Sequence, residues 1–164
     1  MDMLLVKRAQ KGDTDAFIQL IEENKTALYK VAKGYLSSEE DIADVMQDTI
    51  LSAYEHIGEL KTASYFKTWI TRILINRCTD VIRRQSRFVP MEYAKETEAS
   101  EKDSNYEFYE LLKELPEDDR IIFLLYYGEG FNSREVAEIL NLNENTVKSR
   151  LRRGRKKLEQ AICY

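Results

Sequence analysis

The stretch NSREVAEILNLNENTVKSRLRRGRKKL, residues 132–158, decides the fold. Asn132 can accept a hydrogen bond from the backbone of Glu135, whose carboxylate can reach back, so a capping box opens a helix here. That helix is barely two turns long and puts Val136, Ala137, Ile139 and Leu140 on its buried side. Asn141-Leu142-Asn143 makes a short turn with one apolar anchor, and Asn143 can cap a second helix over about 144–160. In the second helix Val147, Leu151 and Leu158 share one face, with Gly154 among them permitting close approach to the first helix. A short helix, a three-residue turn and a longer basic helix form the helix-turn-helix pattern, whose second helix enters the major groove of DNA.

The rest of that second helix is polar or positive: Thr146, Lys148, Ser149, Arg150, Arg152, Arg153, Arg155, Lys156 and Lys157. Arginine can give two hydrogen bonds to a guanine edge, while lysine and serine reach phosphates or bases. A solvated basic helix pairing with acidic neighbours is the plainer alternative. Residues 148–157 hold seven bases and no acid, which favours contact with DNA.

Upstream, the periodicity stays helical. Apolar residues at helical spacing from Met3 to about Gly34 predict two helices joined at Gly12-Asp13. Ser37-Ser38 before Glu39-Glu40-Asp41 is a start signal for a helix over about 39–57, with Ile42, Val45, Met46, Thr49, Ile50 and Ala53 facing inward. Residues 58–63 read as a loop, and Ser64 can cap a long helix to about Ser86 with the apolar stripe Phe66, Ile70, Ile73, Leu74, the Arg77 stem and Val81. Residues 88–105 are polar, acidic and without period, the composition of a flexible linker. Periodicity returns at Tyr106, and Pro116 can take the first position of a helix that runs into Ile121–Tyr127. No alternating strand pattern occurs. The expected fold is therefore all-α: a helical domain at 1–87, an acidic flexible linker at 88–105 and a helix-turn-helix domain at 106–164.

Charge follows the same division. Residues 1–87 carry 13 bases and 13 acids, 88–120 carry 4 and 11, and 121–164 carry 8 and 5. Within the first domain, 39–59 hold seven acids and no base, while 61–87 hold seven bases and one acid, Asp80. Such a chain can touch a polyanion twice and offer an acidic face to something basic. Its two cysteines, Cys78 and Cys163, lie far apart and no hydrophobic leader precedes them, so reduced thiols in a cytoplasmic protein are expected, and zinc fingers are excluded. No stretch reaches the roughly 20 apolar residues of a spanning helix, so no direct membrane insertion is expected.

On the helix over 64–86, Arg72, Asn76, Asp80, Arg83 and Arg87 form a continuous polar stripe, with Tyr65 and Trp69 near its upper end. Cations for phosphates, an amide for a base edge and rings for stacking suit single-stranded or opened nucleic acid. Trp69 and Tyr65 fit the core equally well, and Asp80 is better read as pairing with Arg83 or Arg84 at helical spacing. Asp41, Asp44 and Asp48 come together on their helix, but without accompanying histidine they make an acidic docking face rather than a metal site; no metal or cofactor is expected.

These residues resemble a known family. Asp41-Ile42-Ala43-Asp44-Val45-Met46-Gln47-Asp48-Thr49 resembles region 2.2 of bacterial sigma factors. Phe66-Lys67-Thr68-Trp69-Ile70 with Asn76, Asp80, Arg83, Arg84 and Arg87 resembles regions 2.3 and 2.4, and the two helices from Glu135 to Leu158 resemble region 4.2. The short length points to the extracytoplasmic-function (ECF) class of the sigma-70 family. The resemblance implies a dissociable initiation subunit of RNA polymerase, not an enzyme. It implies that Asp41, Asp44, Gln47 and Asp48 dock on a coiled coil of the core polymerase clamp. Leu60 and Asn76 would line a pocket for a base flipped out of the minus-ten element, with Tyr65, Trp69 and Asp80 nearby and Arg83, Arg84 and Arg87 on promoter DNA. Thr146, Lys148, Ser149, Arg150, Arg152 and Arg153 would serve the minus-thirty-five element. An anti-sigma factor, often membrane-anchored, would hold the protein inactive until an envelope-stress signal. Ile42, Ala43, Ile50 and Gly154 depart from residues common in the family, alanine being usual at the last. A self-sufficient helix-turn-helix regulator is the competing reading.

Overall fold

The computed structural model describes residues 3–86 and 106–163. Two compact units, Met1–Lys95 and Glu96–Tyr164, make up the chain. Every element among the described residues is helical. No helix among them is long and apolar enough to cross a membrane. The expected linker at 88–105 and Arg87 lie outside the described residues.

In the first unit, α1 (Met3–Gln10) and α2 (Thr14–Tyr35) are joined where the sequence predicts. Gly12 turns the chain at φ +91°, a left-handed conformation that favours glycine. Asp13 then caps α2 by accepting from the Ala16 N–H, while the Arg8 guanidinium donates to the same carboxylate at 2.7 and 2.9 Å. These bonds hold the Asp13 carboxyl below the usual carboxylate range, the Ala16 N–H contributing most. Ser38 caps α3 (Glu39–His56), whose first turn carries Glu39, Glu40 and Asp41 at the positive end of the helix dipole. Short 3₁₀ turns at Ile57–Glu59 and Ala63–Tyr65 lead into α4 (Phe66–Ser86). The core lies between these helices and contains Val6, Leu20, Leu28, Val31, Ile42, Val45, Phe66, Ile70, Leu74 and Cys78.

Two expectations for α4 are corrected. Ser64 does not cap it; the 3₁₀ turn runs directly into the helix, with the Phe66 N–H bonded to the Ala63 carbonyl. The buried face is also turned from the expected stripe. Thr71, Ile75 and Cys78 are buried while Arg77 is exposed, because α4 is covered by both α2 and α3 and so buries a wider arc than one stripe.

The second unit comprises α5 (Tyr106–Leu112), α6 (Glu117–Phe123), α7 (Ser133–Leu140) and α8 (Glu144–Ile162). Pro116 stands one position earlier than expected, as the N-cap of α6, where its carbonyl accepts from the Asp119 and Arg120 N–H groups. Beyond Phe123 the helix widens into a π turn over Leu124–Gly128 that the periodicity did not announce. Both halves of the capping box form at Asn132 and Glu135. Asn141 closes α7 in the left-handed conformation at φ +54°, which asparagine tolerates better than most residues. Asn143 caps α8, and Val147, Leu151, Gly154 and Leu158 are buried as expected. The close approach that Gly154 permits is to α6 rather than to α7: a Cβ built there would stand 2.5 Å from the Phe123 ring.

Candidate nucleic-acid interfaces

Burial of Val147, Leu151, Gly154 and Leu158 turns the opposite side of α8 to solvent. At helical spacing Asn145, Ser149, Arg152 and Lys156 form a ridge there, with Thr146 and Arg153 on its flank. Arg152, Arg153, Lys156 and Lys157 are exposed and have no ion pair among the described residues, so their charge is available to a polyanion. Lys148 sits 3.2 Å from Glu144, which also accepts from the Ser133 hydroxyl. Those two bonds, Lys148 first, hold the Glu144 carboxyl below its ordinary range, and the one from Ser133 ties α8 to α7. Arg155 donates to the Tyr127 hydroxyl at 3.0 Å.

Arg150 is placed differently from its neighbours. Its side chain is only 28% exposed, and Nη1 lies 3.5 Å from Asp119 Oδ1 in the first turn of α6. The sequence placed it on DNA, whereas the fold gives it an intramolecular partner. Asn145, which the sequence reading passed over, stands exposed in the first turn of α8, where a recognition helix meets base edges. The signal for it was only its position, two residues past the cap.

In the first unit, Arg72, Asn76, Asp80 and Arg83 are all exposed along α4. Asp80 pairs with Arg83 at 3.7 Å, and its backbone carbonyl accepts from Arg84, as the spacing predicted. Arg77, Asp80, Arg83 and Arg84 line an open cleft of about 390 Å³. Trp69 is half-buried with its ring 6.0 Å from Phe66, while Tyr65 is exposed, so the aromatic pair divides between core and surface. Leu60 is half-buried between the two 3₁₀ turns.

The acidic row faces outward from α3. Asp44, Gln47 and Asp48 are exposed, whereas Asp41 is half-buried and accepts from Gln85 of α4 at 2.8 Å. Leu51, 58% exposed, follows Gln47 and Asp48 by four and three residues and adds an apolar end to the row. Its signal was legible: an apolar side chain on a helix whose inward stripe leaves it out.

Comparison with known proteins decides what these surfaces belong to. The family description Sigma-70 region 2 matches residues 20–88, and Sigma-70, region 4 matches residues 106–158. RNA polymerase sigma factor SigV of Bacillus subtilis is 30% identical over 145 residues, covering 85% of this chain and 86% of that protein. The chain belongs to the sigma-70 family. ECF RNA polymerase sigma-E factor of Haemophilus influenzae is 28% identical over 180 residues, covering 98% of this chain and 95% of that one, and agrees with the ECF class. Among solved structures, the sigma factor RpoE of Bartonella quintana, in complex with the anti-sigma factor NepR, has a TM-score of 0.71 at 25% identity, covering 89% of this chain and 96% of that one. CnrH, in complex with the cytosolic domain of CnrY, shares the fold at a TM-score of 0.72 and 24% identity, covering 98% of this chain and 96% of that one. As a sigma factor the protein is a transcription initiation factor, and α4 and the basic stretch of α8 over 148–157 fall inside the matched regions.

Proposed function

We propose that this ECF sigma factor divides the work of initiation among three surfaces. The α3 row of Asp41, Asp44, Gln47 and Asp48, with Leu51 at its C-terminal end, docks on the clamp coiled coil of core RNA polymerase. Leu60, Tyr65, Trp69 and Asn76 receive opened minus-ten DNA, while Arg83, Arg84 and Arg87 hold its phosphates and Asp80 sets the Arg83 rotamer. Thr146, Lys148, Ser149, Arg152 and Arg153, joined by Asn145, read the minus-thirty-five element, and Arg150 braces α8 against α6. Residues 1–87 form the docking and minus-ten domain and 106–164 the minus-thirty-five domain.

The observation that carries this reading is the presence of one exposed cationic helix in each of two separate compact units, with an acidic face on the helix beside the first. Two modules that bind DNA weakly gain affinity once a third body holds both at the right separation. Unstacking a base costs a few kcal/mol, which a pocket and aromatic stacking offset. An anti-sigma protein, probed best as a co-purifying partner from the host cytoplasm, holds the factor inactive until envelope stress releases it; the Bartonella relative in complex with NepR supports this part.

Transcription in vitro from a promoter library, with purified core polymerase and with or without the protein, tests the proposal. Start sites that appear only with the protein, downstream of two short shared motifs, are expected. Tight binding to a palindromic site without polymerase, and no new start sites with it, would favour the stand-alone regulator instead.

A further inference from the structure

Gln10 closes α1, and its side-chain amide crosses to a distant loop. Nε2 donates to the carbonyl of Ile57 at 3.0 Å and to the carbonyl of Leu60 at 2.8 Å, partners 47 and 50 residues along the chain. The same turn is closed internally by the Leu60 N–H on the Ile57 carbonyl at 3.2 Å. Ile57 is buried and anchors the start of the loop, whereas Gly58, Glu59, Lys61 and Thr62 are exposed. Behind Gln10, Leu5, Val6 and Ala9 fix α1 in the core. One primary amide thus uses both of its hydrogens to join a rigid helix to the segment that carries Leu60. Loops not tied in this way lie at the mobile end of a protein's stability range.

We propose that Gln10 is a positioning residue for minus-ten recognition, setting where Leu60 meets the displaced base. The inference rests on the assignment of Leu60 to that pocket. Gln10 reaches DNA only through the loop, so its effect falls on the promoter position that Leu60 serves and not on binding in general. A carboxylate at this place would turn two donors into an acceptor facing two carbonyl oxygens and push the loop away. An ammonium could still donate to both.

The test is multi-round transcription with saturating core polymerase from promoters varied one minus-ten position at a time, using wild type, Gln10→Glu, Gln10→Lys, Leu60→Ala and the Gln10→Glu/Leu60→Ala double variant. Gln10→Glu should lose roughly tenfold in discrimination at the position that Leu60→Ala alters. Gln10→Lys should keep most of it, and the double variant should match Leu60→Ala alone, since both changes act on one contact. Core affinity and minus-thirty-five preference should stay at their wild-type values, and the loss should stay confined to that one position even though the lost hydrogen bonds lower the Trp69 unfolding midpoint of Gln10→Glu. Wild-type discrimination in Gln10→Glu beside a loss in Leu60→Ala overturns the inference and leaves the pocket standing. A loss uniform over all positions marks a merely structural role and also overturns it. Unchanged preference in Leu60→Ala removes the pocket assignment, and the role of Gln10 with it.

Discussion

Replacing Gly154 with alanine sets two known effects against each other. In a helix interior alanine is favoured over glycine by about 1 kcal/mol. Here the added methyl would stand 2.5 Å from Cε2 and Cζ of Phe123 and 3.4 Å from Cδ2 of Leu115. Carbon atoms rest about 3.5–4.0 Å apart, so the ring must retreat by about 1 Å. Phe123 is 1% exposed and Leu115 2%, so the ring can retreat only toward the groove of about 500 Å³ that it lines with Phe108, Leu111 and Tyr127, giving up its packing against Leu115 and α8. Overpacking a filled core costs about 1–3 kcal/mol, and an overlap of this size belongs near the top of that range. The net expectation is a loss of about 1–2 kcal/mol, with a fall of about 4–8 °C in melting midpoint for each kcal/mol in a unit of this size. Trp69, the single tryptophan of the chain, lies in the first unit and serves as an internal control. Far-UV circular dichroism should show the second unit melting earlier in Gly154→Ala while the Trp69 fluorescence transition stays in place. Combining it with Phe123→Leu should recover part of the loss. A raised midpoint for the single variant would refute the reasoning, since it would mean that α6 gives way at no cost and propensity alone decides.

Thr49 is fully buried and its hydroxyl has no partner among the described residues, so Thr49→Val should raise the first unit's stability by about 1 kcal/mol in urea unfolding followed at Trp69; a fall would reveal a partner for the hydroxyl. Arg153→Ala should weaken transcription from promoters that depend on the minus-thirty-five element without moving the melting midpoint. Arg150→Ala should lower the midpoint as well, by about 1 kcal/mol of stability, because Asp119 loses its partner; equal midpoints for the two variants would put Arg150 on DNA alone. Burial pushes the Cys78 thiol up from 9.0 to about 12, and the Glu39 carboxylate beside the Tyr29 hydroxyl raises that group above 10.0. Both contributions to stability are fully present below the ordinary values and are lost as the pH rises through the raised ones. The first unit's urea midpoint should therefore drop between pH 8 and pH 11, and at pH 8 a thiol reagent should label exposed Cys163 but reach Cys78 only after unfolding.

Helix ends were the most legible part of the sequence, because caps are local. Ser38, Asn132 and Asn143 each bond within three residues, so their signals survive without knowledge of the fold, whereas the equally local signal at Ser64 was overridden by the 3₁₀ turn before α4. The α8 core stripe was legible because Val147, Leu151, Gly154 and Leu158 keep to one narrow face although both α6 and α7 pack on it. What escaped detection depends on partners far along the chain. Arg77 read as a core stem because a single-stripe template cannot tell that α2 and α3 both cover α4 and draw Cys78 inward instead. Gly154 was read as a door for α7, since only the folded unit brings Phe123 to it. In the candidate site, Arg152 and Arg153 stand free in solvent as their spacing implied, whereas Arg150 was indistinguishable from them until α6 placed Asp119 within reach. Gln10 carried no signal at all, its two acceptors being 47 and 50 residues away.

The first domain's charges cancel in number but not in place. Seven acids over residues 39–59 sit on α3 and its exit, while the bases after residue 60 lie mostly on α4, the next helix in the chain. A body of zero net charge feels little pull in a uniform field, yet a separated pair of poles feels a torque. As such a domain nears a polyanion it is turned before it is attracted, basic helix leading and acidic helix trailing. This alignment acts within about 10 Å at 0.1 M salt and fades as salt rises. Ionic strength should then alter how often an encounter begins in the productive orientation, a kinetic quantity, while leaving the domain's lifetime on a docked surface comparatively untouched.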